Sequence, residues 1–356
     1  MDVDKKIFAV KSAYSITEAI IPKNEKEEKE KFFKIPNYEP SFEYEEIELP
    51  SKEQIDVIKE EIKNINNRLV KKLYSKVPKC IEIEIEMLKN INTSKFTKYS
   101  KKIYGRPSLK YVKVAEELAH IKTYKKEHQK VISGKTLKEI FEDMLNVYYN
   151  LNWKIEFTDQ YATSVIPTKK TIKLNKDRMF SIEEVKRLVN HEIKVHVLRS
   201  VNGYNQPYQI LGTGLPKYLK TEEGLAVHME VKQDIADAYA LKLRAVRLLA
   251  VRMMLKHHSF REVFKFVKAR GFDDETSWSI TMRVFRGGGF TKDYVYLEGY
   301  YEVSNYLNKQ TDEKMRLLYT GKIGLKDTRL IQKMLNKGLL TPPSYLPEEL
   351  EEKEII

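Results

Sequence analysis

The sequence predicts a mainly α-helical chain carrying one small β-sheet, an α+β arrangement. Three observations support this. Apolar residues recur at helical spacing between about residues 51 and 150. Two short alternating segments follow between about 153 and 177. The stretch 181–340 then reads almost wholly helical, broken by loops at 203–220, 270–274 and 286–290.

In chain order, residues 1–48 form a charged, partly irregular lead-in that ends in Tyr44-Glu45-Glu46-Ile47. Residues 49–150 form an N-terminal helical region. Within it Ile55, Val57, Ile58, Ile62, Ile65 and Leu69 line one run, and 136–151 repeats the pattern. The run Ile81-Glu82-Ile83-Glu84-Ile85-Glu86 alternates like a strand, but Ile81, Ile85 and Leu88 also share a helical face, and the helix is preferred. A third region spans 151–345. It opens with Trp153-Lys154-Ile155-Glu156-Phe157 and Thr171-Ile172-Lys173-Leu174, short strands separated by a turn containing Pro167. Ser181 with Glu183 and Glu184 is a strong helix start, a hydroxyl cap followed by an acidic first turn. Ile182, Val185, Leu188, Val189 and Ile193 continue that helix. Residues 346–356 read as an acidic tail.

Composition narrows the function class. With 42% apolar residues in 356, the chain can bury a substantial core. Cys80 is the only cysteine, which excludes a disulfide framework or a cysteine-based metal site and fits a reducing cytoplasm. The start Met1-Asp2-Val3-Asp4-Lys5-Lys6 runs into mixed sequence with no hydrophobic stretch of the signal-peptide kind. The most apolar helix, 240–255, is interrupted by Lys242, Arg244, Arg247 and Arg252, so a core helix is expected and no membrane association. The net charge of +13 invites an acidic partner. Lysines are nevertheless interleaved with glutamates, as in Glu25-Lys26-Glu27-Glu28-Lys29-Glu30-Lys31, the pattern of a solvated face. No nucleic-acid motif accompanies the charge.

The chemistry concentrates in His191-Glu192-Ile193-Lys194-Val195-His196 and in Glu223 of Thr221-Glu222-Glu223-Gly224-Leu225-Ala226. Two histidines, an adjacent glutamate and a later glutamate make the donor set of a hydrolytic zinc site with three protein ligands and a place for water. In HExxH the histidines are four apart and share a helix face. Here they are five apart, about 140° around a regular helix. Both reach one metal only if the helix widens, so a π-type turn is expected between them. The plain alternative is two ordinary helix histidines. Against it, this short helix holds two of the chain's seven histidines. A small sheet just before such a helix is the layout of gluzincin-like zinc peptidases, in which an edge strand often aligns an extended peptide.

HExxxH followed by TEEGLA resembles the microtubule-associated tyrosine carboxypeptidases and their prokaryotic relatives. The likeness continues through His196-Val197-Leu198-Arg199-Ser200-Val201-Asn202-Gly203 with Gln206-Pro207. It is also seen in Arg286-Gly287, Phe290-Thr291-Lys292-Asp293, Val295-Tyr296-Leu297-Glu298-Gly299 and Gly321-Lys322-Ile323. Weaker matches are Phe32-Phe33, Phe42-Glu43-Tyr44 and Tyr104-Gly105-Arg106-Pro107, so the resemblance covers about residues 30–345. It implies a gluzincin-like core in which one zinc ion per chain is held by His191, His196 and Glu223, with Glu192 as general base. It also implies release of a single C-terminal residue, aromatic and tyrosine-like, from a peptide or protein. Glu222 would then be a first-turn acid or a partner to a ligand histidine.

A carboxypeptidase must hold its substrate's terminal carboxylate, for which arginine or lysine is suited. Arg283, Arg286, Lys292 and Arg199 are the candidates, Arg286 and Lys292 lying in family-like blocks. A surface ion pair is the ordinary role of each. Gly287-Gly288-Gly289 fits a hinge or a close approach to peptide. Tyr296 is a candidate donor to the developing oxyanion, or a packing tyrosine. Tyr204, Tyr208 and Tyr218 line a pocket or pack the loop, and His228 is secondary. Two other functions stay open: a dipeptidyl-peptidase-like zinc aminopeptidase, whose pocket would present carboxylates, and a non-enzymatic basic module for an acidic partner.

Overall fold

The computed structural model describes residues 2–124, 129–158, 163–166, 170–308 and 311–351. Among the described residues the chain is mainly helical with two small sheets. Strands β1 (Ile132–Ser133), β2 (Lys154–Thr158), β3 (Ser164–Ile166), β4 (Thr171–Asn175) and β5 (Met179–Phe180) precede the motif helix. β1 pairs with β5 antiparallel, and the other three form a sheet in the order β2-β4-β3. The two strands read from sequence are present, but they lie parallel, Lys154 opposite Thr171 through Thr158 opposite Asn175. β3 is antiparallel on the other side of β4. Parallel neighbours need a crossover of about a dozen residues, which is how β3 comes to be inserted between them in sequence. The turn residue Pro167 lies outside the described residues.

The lead-in is more ordered than its charge suggests. Asp2–Ser12 is a helix because Val3, Ile7 and Val10 recur at i, i+4 and i+7 and are all buried. They join Ile55, Ile58 and Ile62 of the Lys52–Lys63 helix, together with Leu211 and Ile323 from far along the chain. Buried Asp4 accepts a hydrogen bond from the Tyr74 hydroxyl at 2.7 Å and from the Ile210 amide at 3.0 Å. Residues 35–51 are irregular, as expected. The ambiguous isoleucine run is helical, within Val77–Leu88, with Ile81, Ile85 and Leu88 buried. Leu346 and Leu350 are buried in the core around the sheet, so the acidic tail begins as packed chain.

The centre of the molecule is the Leu219–Lys232 helix. It has no amphipathic stripe, because Thr221 to Val227, Met229 and Glu230 are all buried. Val189–Val197, which continues the Ile182–Leu188 helix, packs against it, and so does Val295–Leu307. Gly224 and Gly299 permit the second approach. A Cβ on Gly224 would sit 2.2 Å from the Gly299 carbonyl carbon, and one on Gly299 would sit 2.2 Å from the Lys220 carbonyl oxygen. Both obstacles are backbone and cannot rotate away. No helix among the described residues is long and apolar enough to cross a membrane. Gly299→Ala is expected to push these two helices apart at a stability loss of about 1–3 kcal/mol. Urea unfolding checks this, and an unchanged midpoint would show that the helices tolerate a methyl group between them.

Candidate metal centre

The helix that begins at Ser181 does so through a full capping box. The Ser181 hydroxyl accepts from the Glu184 amide at 3.1 Å, and the Glu184 carboxylate accepts from the Ser181 amide at 3.0 Å. After Leu188 the helix widens into a π-helical segment, Val189–Val197, and returns to α geometry over Leu198–Tyr204. The expected π turn is therefore present. It brings the His191 and His196 rings to 4.8 Å between centroids, at 86° to each other.

Glu223 comes from the central helix to meet them. One donor atom from each of His191, His196 and Glu223 lies within 4.8 Å of the others. The Glu223 Oε2 is 3.2 Å from His191 Nε2 and 3.8 Å from His196 Nε2. Each histidine's other nitrogen is occupied. His191 Nδ1 is 2.8 Å from Glu230 Oε1, and His196 Nδ1 is 3.0 Å from Glu222 Oε1. With Nδ1 engaged by a carboxylate, each ring is fixed with Nε2 facing the centre. Two imidazole nitrogens and one carboxylate oxygen, buried and oriented in this way, fit a divalent ion of the zinc type.

The orienting carboxylates are themselves held by cations. Glu222 pairs with Arg199 and Lys322, and Glu230 with Arg244. Burial pushes the Glu222 carboxyl up, but Lys322 and Arg199 outweigh it and hold it far below the ordinary range. Burial also opposes ionisation of Glu230, yet Arg244 and His191 bring it down to about 2. Glu223 is lowered in the same way by Lys292 and His191, against its own burial. For His191, burial disfavours the charged ring, but hydrogen bonds to Glu223 and Glu230 prevail and raise it to about 10.

Around this centre the sequence candidates fall into two groups. Glu192 is 8% exposed and accepts no hydrogen bond from the described residues, which leaves its carboxylate free for a water. Lys292 Nζ is 3.2 Å from Glu223 Oε1 and 5.9 Å from the Tyr296 ring. The Tyr296 ring stacks 6.5 Å from His191. Arg286 lies over Phe290, 5.0 Å from its ring centroid. Arg199 is placed otherwise. It is fully buried, donating to the Leu318 and Ile323 carbonyls and to Glu222, so it anchors the centre. Arg283 is gripped by Asp293 through bonds of 2.6 and 2.8 Å and stiffens the loop carrying Lys292.

The three glycines have φ of 71°, 102° and 126°, and they are pinned to the N-terminal region. The Tyr44 hydroxyl accepts from the Gly287 amide, the Gly287 carbonyl accepts from the Asn92 amide, and the Gly288 carbonyl accepts from Thr97. They make a close approach to this chain's own backbone and form no hinge. Tyr204 packs on Gly212 and Tyr208 on Tyr74, away from the centre. Tyr218 lies under Lys322 near Glu222. His228 turns to Ser304 at 2.9 Å, and burial lowers it to about 4.

Residues 30–355 match the family model described as microtubule-associated tyrosine carboxypeptidase. The chain belongs to that family. Curated relatives named microtubule-associated tyrosine carboxypeptidase 1 include the human protein, 32% identical over 154 residues, which is 39% of this chain and 31% of the relative. The rat protein is 29% identical over 156 residues, 41% of this chain and 32% of the relative. The matched stretch thus spans about a third of the curated relatives' length. A crystal structure of a putative lipoprotein from Colwellia psychrerythraea aligns with a TM-score of 0.45 at 13% identity, covering 94% of this chain and 69% of that one. That likeness is too loose to define the fold.

Within this family member, sequence reading missed Glu230, Arg244 and the role of Lys322. Glu230 carried a signal, since it follows Glu223 by seven residues, two turns along the same helix face. Lys322 carried one in the family-like block Gly321-Lys322-Ile323, although its partner Glu222 lies far away in sequence; Arg244 carried none, its partner lying on another helix. The proton on His191 stabilises the metal-free fold below the ordinary histidine value, and that contribution is lost as pH rises through about 10. Metal must displace it. Zinc titrated into chelator-treated protein at about pH 7.5 is expected to release at least about one proton per site. Calorimetric heats would then differ between buffers of different ionisation enthalpy; equal heats would show His191 already neutral.

Proposed function

We propose that this chain is a zinc-dependent metallocarboxypeptidase that removes one C-terminal residue, tyrosine-like, from a peptide or protein. The observation carrying the reading is the convergence of His191, His196 and Glu223 within 4.8 Å beside the cation of Lys292. Family membership and the names of the relatives support the reaction and the preference for tyrosine. The sheet ahead of the histidine helix is consistent with a gluzincin-like core.

His191, His196 and Glu223 would hold the metal, one per chain. When bound, zinc supplies a Lewis acid that polarises the scissile carbonyl and acidifies water. The rest is the work of this chain's own groups. Glu192 accepts the proton of the attacking water on a carboxylate oxygen and delivers it to the leaving amine. Tyr296, stacked near His191, can donate its hydroxyl to the oxygen that gains charge. Glu222 and Glu230 keep the imidazoles turned toward the centre throughout.

The surroundings favour this over the aminopeptidase reading. A site for a free N-terminus would present uncommitted carboxylates to the amine. Here Lys292 and Arg283 lie near Tyr296, and of the acids beside it Glu223 is met by Lys292 and Asp293 is held by Arg283. That is a setting for a terminal carboxylate.

Two measurements test the proposal. Glu192→Gln is expected to lower kcat by about 10²–10⁴-fold with zinc content unchanged. Unimpaired cleavage by that variant, or no cleavage by fully metallated wild type, would leave the basic binding-module reading. An N-blocked peptide ending in free-acid tyrosine should be shortened by one residue, and its C-terminal amide should resist. Mass spectrometry reads both products, and release of N-terminal dipeptides from unblocked peptides would point to the aminopeptidase instead.

A further inference from the structure

A helix that widens must re-route its backbone hydrogen bonds. In a regular α-helix the Leu198 amide would bond the Lys194 carbonyl, four residues back. Here it bonds the Ile193 and Val195 carbonyls. The Lys194 carbonyl is met from outside the helix, by the Tyr319 hydroxyl at 2.9 Å. At the start of the wide segment a side chain plays a similar part: the Lys186 carbonyl accepts from the Asn190 side-chain amide at 2.9 Å. A buried carbonyl left without a donor is costly, so a donor delivered at this point favours the wide turn over a regular one.

Tyr319 is built in firmly. It is fully buried, directly after the Thr311–Leu318 helix and two residues before the Gly321-Lys322-Ile323 block. The backbone on either side of it is tied to the histidine helix by Arg199, which donates to the Leu318 carbonyl at 2.9 Å and the Ile323 carbonyl at 2.7 Å. Burial raises the phenol far above its ordinary value, so it stays protonated and able to donate. The side chain of Lys194 is held as well. Its Nζ is 2.7 Å from Glu349 Oε1, which also accepts from Gln233 at 2.6 Å. Gln233 ends the helix that carries Glu223. Lys194 stands between His191 and His196, so the turn joining the two histidines is gripped at its backbone and at its side chain.

We infer that Tyr319 is a positioning residue of the metal centre: its hydroxyl, bonded to the Lys194 carbonyl, holds the ligand helix in the wide turn that lets His191 and His196 face one ion. The inference rests on the metal reading above and deepens it. Glu222 and Glu230 set the rotation of each imidazole about its own bonds, whereas Tyr319 sets where His196 stands relative to His191. Without the hydroxyl the wide turn loses a donor that a regular α-helix would not need. Tightening that turn moves the two histidines toward the 140° separation at which they no longer share a ligand position.

The test compares Tyr319→Phe with Tyr74→Phe in the full chain. The second variant removes an equally buried tyrosine hydroxyl, bonded at 2.7 Å to Asp4 in the N-terminal core. Zinc affinity is read by competition with a chromophoric chelator, ligand geometry by the visible bands of cobalt(II)-loaded protein, and stability by melting of the metal-free form. Tyr319→Phe is expected to weaken zinc binding at least about tenfold, the lower end of what is lost when groups that orient metal ligands are removed. Its cobalt bands should shift, and its melting temperature should fall no further than that of Tyr74→Phe. Tyr74→Phe should keep wild-type affinity and bands. Wild-type affinity and bands in Tyr319→Phe would overturn the assignment. So would equal loss of affinity in both variants, or a melting temperature lowered well beyond that of Tyr74→Phe, since either marks general destabilisation. If wild type takes up no zinc, or binds it equally well after His196→Ala, the metal reading itself falls. A failure confined to Tyr319→Phe leaves that reading standing.

Discussion

The structure turns on the burial of three ionised carboxylates, Glu222, Glu223 and Glu230, along one helix that has no solvent face. Each would be strongly destabilising alone, since a buried charge is tolerated only with a compensating partner. The fold answers each differently. Glu222 meets Arg199 and Lys322, Glu230 meets Arg244, and Glu223 meets Lys292 across the centre. Those cations come from four separate parts of the chain, so assembling the central helix requires most of the molecule to be in place. The histidines complete the arrangement, each bonded to one outer carboxylate and turned toward the shared middle one. Glu222 and Glu230 thus act as positioning residues, and their cations keep them ionised so that they can act.

Much of this was legible in the sequence, for identifiable reasons. The five-residue spacing of His191 and His196 is incompatible with a shared metal on a regular helix, so the motif itself demanded the π segment that is present. The Ser181 start was readable because capping chemistry is local. The helical reading of Ile81 to Glu86 succeeded because Leu88 extended the helical face beyond the alternating run. The strands were located, but their parallel pairing was not, since pairing direction depends on where the chain returns. The lead-in was underrated because its charges masked a narrow apolar stripe, Val3, Ile7 and Val10, that finds its partners some 200 to 320 positions later at Leu211 and Ile323.

The cationic candidates show where sequence reasoning stops. Arg199, Arg283 and Arg286 are alike as letters in a motif-rich region. Only packing distinguishes an arginine bonded to two carbonyls and Glu222 from one doubly bonded to Asp293, and both from one laid over the Phe290 ring. The same holds for the overall charge. Lysines such as Lys31, Lys34 and Lys63 pair with glutamates three or four residues away on exposed helix faces. Such pairs contribute at most about 1 kcal/mol each, and they account for part of the basic composition without any partner macromolecule.

The widened turn between the histidines also preserves the reading frame of everything after it. Deleting one residue there would yield the commoner four-residue spacing, with both imidazoles about 40° apart on an ordinary helix. The widened turn absorbs the additional residue, so the side chains after it need not rotate: Arg199 can stay on Glu222, and Asn202 and Gln206 on the backbone at Tyr345 and Thr341. The long and short motifs are thus one deletion apart on the same scaffold.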